Sequence, residues 1–83
     1  MTQWTYLVLM NPGVHAEMRV FQVVDNQQVL IVEFSGCRSG DLLTMTIVIE
    51  ADEPKARRIE ALLWRLPSIL RVDTFASDRS QTQ

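Results

Sequence analysis

The spacing of apolar and polar residues changes period several times along the chain. Gln3–Met10 (QWTYLVLM) is apolar on both alternating faces, Trp4/Tyr6/Val8/Met10 on one and Thr5/Leu7/Leu9 on the other. That pattern predicts a central strand covered on both sides. Asn11-Pro12-Gly13 interrupts it, because proline and glycine punctuate regular structure. From Val14 the period lengthens. Val14, Met18, Phe21 and Val24 recur at three- and four-residue steps, with Glu17, Arg19 and Gln22 elsewhere. An amphipathic helix over Val14–Val24 is expected. Asn11 can cap it through its side-chain oxygen, and Pro12 suits a first turn. Asp25–Gln28 (DNQQ) ends it with turn-forming residues.

The second half repeats the theme. Val29–Phe34 (VLIVEF) reads as a strand by its β-branched content. Ser35–Asp41 (SGCRSGD) holds two glycines and short polar residues and reads as a hairpin loop. Leu42–Glu50 (LLTMTIVIE) sets Thr44 and Thr46 against Met45 and Ile47, as in a half-solvated antiparallel strand. In ADEPKARRIEALLWRLP, Asp52 is a good N-cap, Glu53 suits the positive helix start and Pro54 falls in the first turn. Ile59, Leu62, Leu63 and Leu66 then fall at i, i+3, i+4 and i+7, an apolar stripe. Arg57, Arg58 and Arg65 lie off that stripe, and Pro67 stops the helix. Ile69–Phe75 (ILRVDTF) is a last strand.

The predicted order is β-α-β-β-α-β. This is the split-βαβ, ferredoxin-like arrangement, an α+β fold with a four-stranded antiparallel sheet and two helices on one face. The other sheet face is then open. Tyr6, Val8 and Val48 are candidates for it, and a second copy or a partner would cover it.

Composition narrows the function. The chain has 83 residues, 47% of them hydrophobic, which suits one folded domain. Residues 1–76 are expected to form it, with 77–83 a polar, disordered C-terminal tail. A formal net charge of -2 gives no electrostatic case for nucleic acid or an acidic membrane. No apolar run is long enough to span a bilayer, and no secretory signal is visible. Cys37 is the single cysteine, so no internal disulfide can form. A soluble cytoplasmic protein is expected.

Candidate chemistry is sparse. No Ser-His-Asp set, metal-ligand spacing, phosphate loop or paired carboxylates stand out, so no catalytic residue, metal or cofactor is expected. His15, the only histidine, has no partner cluster and reads as a surface residue. Cys37 beside Arg38 reads as an incidental thiol. Glu33, in an otherwise apolar strand, fits an edge that avoids wrong pairing or a partner contact. Trp64 points off the apolar stripe near Arg57, and an exposed Trp beside Arg is typical of an interface anchor. Asn11-Pro12-Gly13 is either a cap and turn or a ligand loop.

The NPGV turn after strand one, the fifteen-residue step from Gly13 to Gln28 and the ending IEALLWRLPSILRV resemble an ACT domain. More narrowly, they resemble the short, single-domain small regulatory subunit of acetohydroxyacid (acetolactate) synthase. The resemblance runs from about Leu7 to Phe75. It implies a homodimer of side-by-side sheets with a branched-chain amino acid (valine, leucine or isoleucine) at the pairing interface. Asn11, Gly13 and Val14 of one protomer and Gln28, Val29 and Leu30 of the other would hold it. It further implies a non-catalytic chain that activates a thiamine-diphosphate-dependent large subunit, the cofactor staying on that subunit. Trp64 and Arg57 are the expected partner contacts. The alternative is a stand-alone amino-acid-binding ACT homodimer acting on another target.

The sequence departs from this pattern at informative positions. Family members that bind valine usually carry Asn three residues before the glycine, where this chain has Met10. A thioether is a weak acceptor and no donor, so it cannot replace an amide. Gln28 stands where an Asn is expected, and Asn26-Gln27 replaces the usual Arg-Gly. An apolar residue before Asn-Pro is similar to the short small subunits, whose feedback by amino acids is weak or absent.

Overall fold

The computed structural model describes residues 2–77. Its elements are β1 (Thr2–Met10), α1 (Ala16–Asp25), β2 (Leu30–Ser39), β3 (Leu42–Ala51), α2 (Glu53–Trp64) and β4 (Ile69–Ser77). The four strands form one sheet in the order β2-β3-β1-β4, every neighbour antiparallel. This is the ferredoxin-like βαββαβ arrangement expected from the pattern, and it leaves β2 and β4 as the edges. Ser77, the first residue assigned to the tail, is the last of β4; residues 78–83 lie outside the described residues.

The registers define the two sheet faces. Tyr6 pairs with Ile47 and Val8 with Met45 and Val72, and all five side chains are buried beneath the helices. Tyr6 and Val8 therefore belong to the core and not to the open face. Val48 does lie on the open face, across from Thr5. That face also carries Leu7, Thr44, Thr46, Asp73 and Phe75. The apolar run of β1 suggested cover on both sides, but only its Trp4/Tyr6/Val8/Met10 face is covered; Leu7 is exposed.

Helix α1 buries Ala16, Val20 and Val24, at i, i+4 and i+8, with Val23 packed at the margin. The expected stripe shares only Val24 with this face. Val14 is 84% exposed, and Met18 and Phe21 are also exposed. The segment carries two apolar stripes, and the inner one is made of the smaller side chains. Those let the helix approach the sheet closely, while Phe21 reaches sideways to Phe34 of β2 with an edge-to-face contact of 5.1 Å between ring centroids.

The turn into α1 also differs. Asn11 does not cap the helix; its N–H donates to the carbonyl of Ser68 at 2.9 Å, tying the turn to the start of β4. The cap position is His15, in the left-handed region at φ 63° with no side-chain cap bond. The α2 start follows expectation, with Asp52 accepting from the Lys55 N–H at 3.4 Å. Ser35–Asp41 is not a loop throughout: β2 runs to Ser39, and only Gly40-Asp41 separates it from β3. Gly40 has φ 60°, which glycine adopts without strain in a tight hairpin.

Candidate functional site

A groove of about 600 Å³ opens where the β1–α1 turn meets the C-terminal end of β2, lined by Pro12, Gly13, Val14, Glu17, Gly36, Arg38 and Leu43. The volume is in the range of small-molecule sites. Each wall follows from the local sequence. Gly13 has open space where a side chain would begin, so its backbone faces the groove directly. Gly36 is crowded: a Cβ there would lie 2.6 Å from the Met45 sulfur and 3.2 Å from Glu17 Oε2. Its missing side chain lets the Glu17 carboxylate lie against β2. Gly36 pairs with Met45 and Arg38 with Leu43, so Gly36 and Arg38 share the helix-side face of the strand. Val14 and Leu43 supply aliphatic surface.

The six expected ligand residues fall at two places in one chain. Gly13 and Val14 line the groove, and exposed Asn11 precedes them. Gln28, Val29 and Leu30 line a second cavity of about 220 Å³ with Glu50, Ala51, Asp52 and Lys55, at the opposite end of β2. Gln28 is in the left-handed region at φ 59°, and the Lys55 ammonium donates to the neighbouring Gln27 carbonyl at 3.0 Å. A single chain thus does not bring the two sets together. Glu17 and Arg38 also line the groove and are not among the residues expected from the sequence. Placing Ser35–Asp41 in a loop hid that Gly36 and Arg38 share a strand face, and only the fold sets Glu17 opposite them.

Met10 is 1% exposed and packs in the core. The Trp64 side chain is 49% exposed at the end of α2. Arg57 turns out to cover Trp4, with the guanidinium carbon 5.4 Å from that ring's centre. It also pairs with Glu53 and Glu60 at 3.5 and 3.3 Å. Arg57 is thus held within the domain, whereas the indole of Trp64 stands clear. Cys37 is exposed on β2, and Glu33, also on that edge strand, accepts a hydrogen bond from the Ser35 hydroxyl at 3.3 Å. Burial pushes the Tyr6 phenol far above its usual range, with Glu60 adding to the rise and Arg57 opposing it. Among the described residues no group of three or more His, Cys, Asp or Glu could hold a metal ion. No helix among them is long and apolar enough to cross a membrane.

No protein-family model matches the chain, and no curated protein matches it. Solved structures do. The C-terminal domain of the MgtC protein from Mycobacterium tuberculosis superposes with a TM-score of 0.77 at 19% identity, over 100% of this chain and 95% of that one. The ACT domain of the GTP pyrophosphokinase of Chlorobium tepidum gives 0.79 at 8% identity, over 90% of this chain and 100% of that one. The acetolactate synthase small subunit from Thermotoga maritima gives 0.78 at 13% identity, over 89% of this chain and 47% of that one. The fold is therefore that of the ACT domain, as the turn and helix motifs implied.

Proposed function

We propose that the chain is a non-catalytic regulatory subunit that pairs with a second copy of itself, binds a branched-chain amino acid and activates an acetolactate synthase large subunit in the cytoplasm. One observation carries this reading: the groove beside Gly13 opens at one end of edge strand β2, and the second cavity opens at the other end. If β2 pairs antiparallel with its copy, each chain's groove receives the other chain's Gln28–Leu30. Edge strands offer unpaired backbone groups for such pairing. The exposed Val14, Met18 and Phe21 flank that edge and supply apolar surface to bury. The aliphatic side chain of valine, leucine or isoleucine would then lie against Val14, Leu43 and the partner's Leu30. Thiamine diphosphate remains with the large subunit, and this chain supplies shape and ligand response.

The test is reconstitution. Purified chain is added to a purified acetolactate synthase large subunit from the same organism, and synthase activity is followed. A saturable rise in activity is expected. Activity unchanged at saturating chain, with amino-acid binding retained, would overturn the synthase assignment. It would leave a stand-alone amino-acid-binding homodimer acting on another target.

A further inference from the structure

The groove holds two opposite charges that form no ion pair with each other. Glu17 enters from the first turn of α1 and rests its carboxylate over Gly36. Arg38 follows two positions along β2 on the same face, and a strand advances roughly 6.6 Å over two residues. No Arg38 nitrogen lies within 4.0 Å of a Glu17 oxygen, and neither residue enters any other ion pair among the described residues. The other lining residues, Pro12, Gly13, Val14, Gly36 and Leu43, carry no charge. The space between an unpaired carboxylate and an unpaired guanidinium, bounded by backbone and aliphatic side chains, is complementary to a small zwitterion.

We propose that Glu17 and Arg38 form a charge clamp that makes the groove select an α-amino acid over the 2-oxo acid with the same side chain. The clamp rests on the amino-acid-binding reading above and names the groups that read the ligand's head. Arg38 receives the α-carboxylate, which its planar fork of donors fits with two hydrogen bonds. Glu17 receives the α-ammonium. A 2-oxo acid offers Glu17 a carbonyl oxygen instead, so two acceptors face each other and the Glu17 charge stays unpaired. A simple amine offers Arg38 nothing. The site therefore responds to the product of amino-group transfer and ignores the carbon skeleton that precedes it, so the reaction supplying its ligand is an amination of a 2-oxo acid.

The test uses the full chain and three ligand sets. Valine, leucine and isoleucine, their matching 2-oxo acids and their matching primary amines are titrated calorimetrically into wild type, Glu17→Gln and Arg38→Gln. Both side chains are exposed and form no ion pair, so both variants are expected to keep the wild-type Tm. The amino acid that binds wild type is expected to do so at least tenfold tighter than its 2-oxo acid or its amine. Glu17→Gln should lose at least tenfold for the amino acid and nothing for the 2-oxo acid. Arg38→Gln should weaken both. Amino-acid binding that is equal in all three proteins would overturn the clamp while leaving the regulatory reading intact. Absence of binding by all three amino acids to wild type would overturn both.

Discussion

The Tyr6 hydroxyl donates a 2.7 Å hydrogen bond to the carbonyl of Ala56, joining the middle of β1 to the first turns of α2. Tyr6 is fully buried and this is its polar anchor, so the bond satisfies a phenol that would otherwise be costly inside the core. The same side of the sheet is tied at its end by the Trp4 indole, which donates to the Ala51 carbonyl at 3.1 Å. Arg57 lies over that indole.

The buried phenol gives the fold a defined alkaline limit. Its pKa in the folded protein is raised by desolvation and secondarily by Glu60, whereas in the unfolded chain it stays at about 10. The folded state thus holds the proton more tightly. The stabilisation is fully present below about pH 10 and is lost as pH rises beyond it. Tyr6→Phe should cost about 1 kcal/mol at neutral pH through the lost hydrogen bond and should soften the alkaline decline. Urea unfolding at neutral pH and above pH 10 reads both effects.

Met10→Asn tests whether an amide at this position creates a response to valine. Met10 is packed in the core, so the substitution removes apolar volume and buries an amide. A loss of about 3 kcal/mol is expected, with no gain in valine affinity. Thermal unfolding and calorimetric titration of the variant check the two halves.

Thr74 carries a buried hydroxyl without a hydrogen-bond partner. Thr74→Val keeps the β-branched shape on β4 and removes the unpaired group. Stability should rise by about 1 kcal/mol, since an unsatisfied buried polar atom is a net cost. The Tm should rise accordingly.

Trp64→Ala separates an anchor from a core residue. With the indole half in solvent, the domain should lose no more than about 1 kcal/mol of stability. Under the proposed function, binding to a synthase large subunit should weaken by about 2 kcal/mol where the indole fills a partner pocket. Equal retention of the large subunit by variant and wild type would remove Trp64 from the interface.

The fold was legible because each period pointed one way. Ile59, Leu63 and the Thr44/Met45 alternation oriented α2 and β3 correctly. Errors arose where two apolar patterns overlapped or where polar residues continued a strand. The pattern Val14/Met18/Phe21 masked the smaller Ala16/Val20/Val24 face. Gly36 and the polar residues around it looked like a loop, although ladder hydrogen bonds to β3 need no apolar side chains. Of the groove's lining residues, the sequence pointed only to Gly13 and Val14. Glu17 and Arg38 are 21 positions apart, and no local pattern signals that the fold sets them across one groove.

The central claim is that this groove binds an amino acid. Calorimetric titration of the wild-type chain with valine, leucine and isoleucine tests it most directly. Saturable binding of one of them, abolished by Gly13→Asp, is the predicted result, because a side chain at Gly13 places a negative charge where the backbone meets the ligand. Flat traces with all three would contradict the account and leave the NPGV turn as a structural corner between β1 and α1.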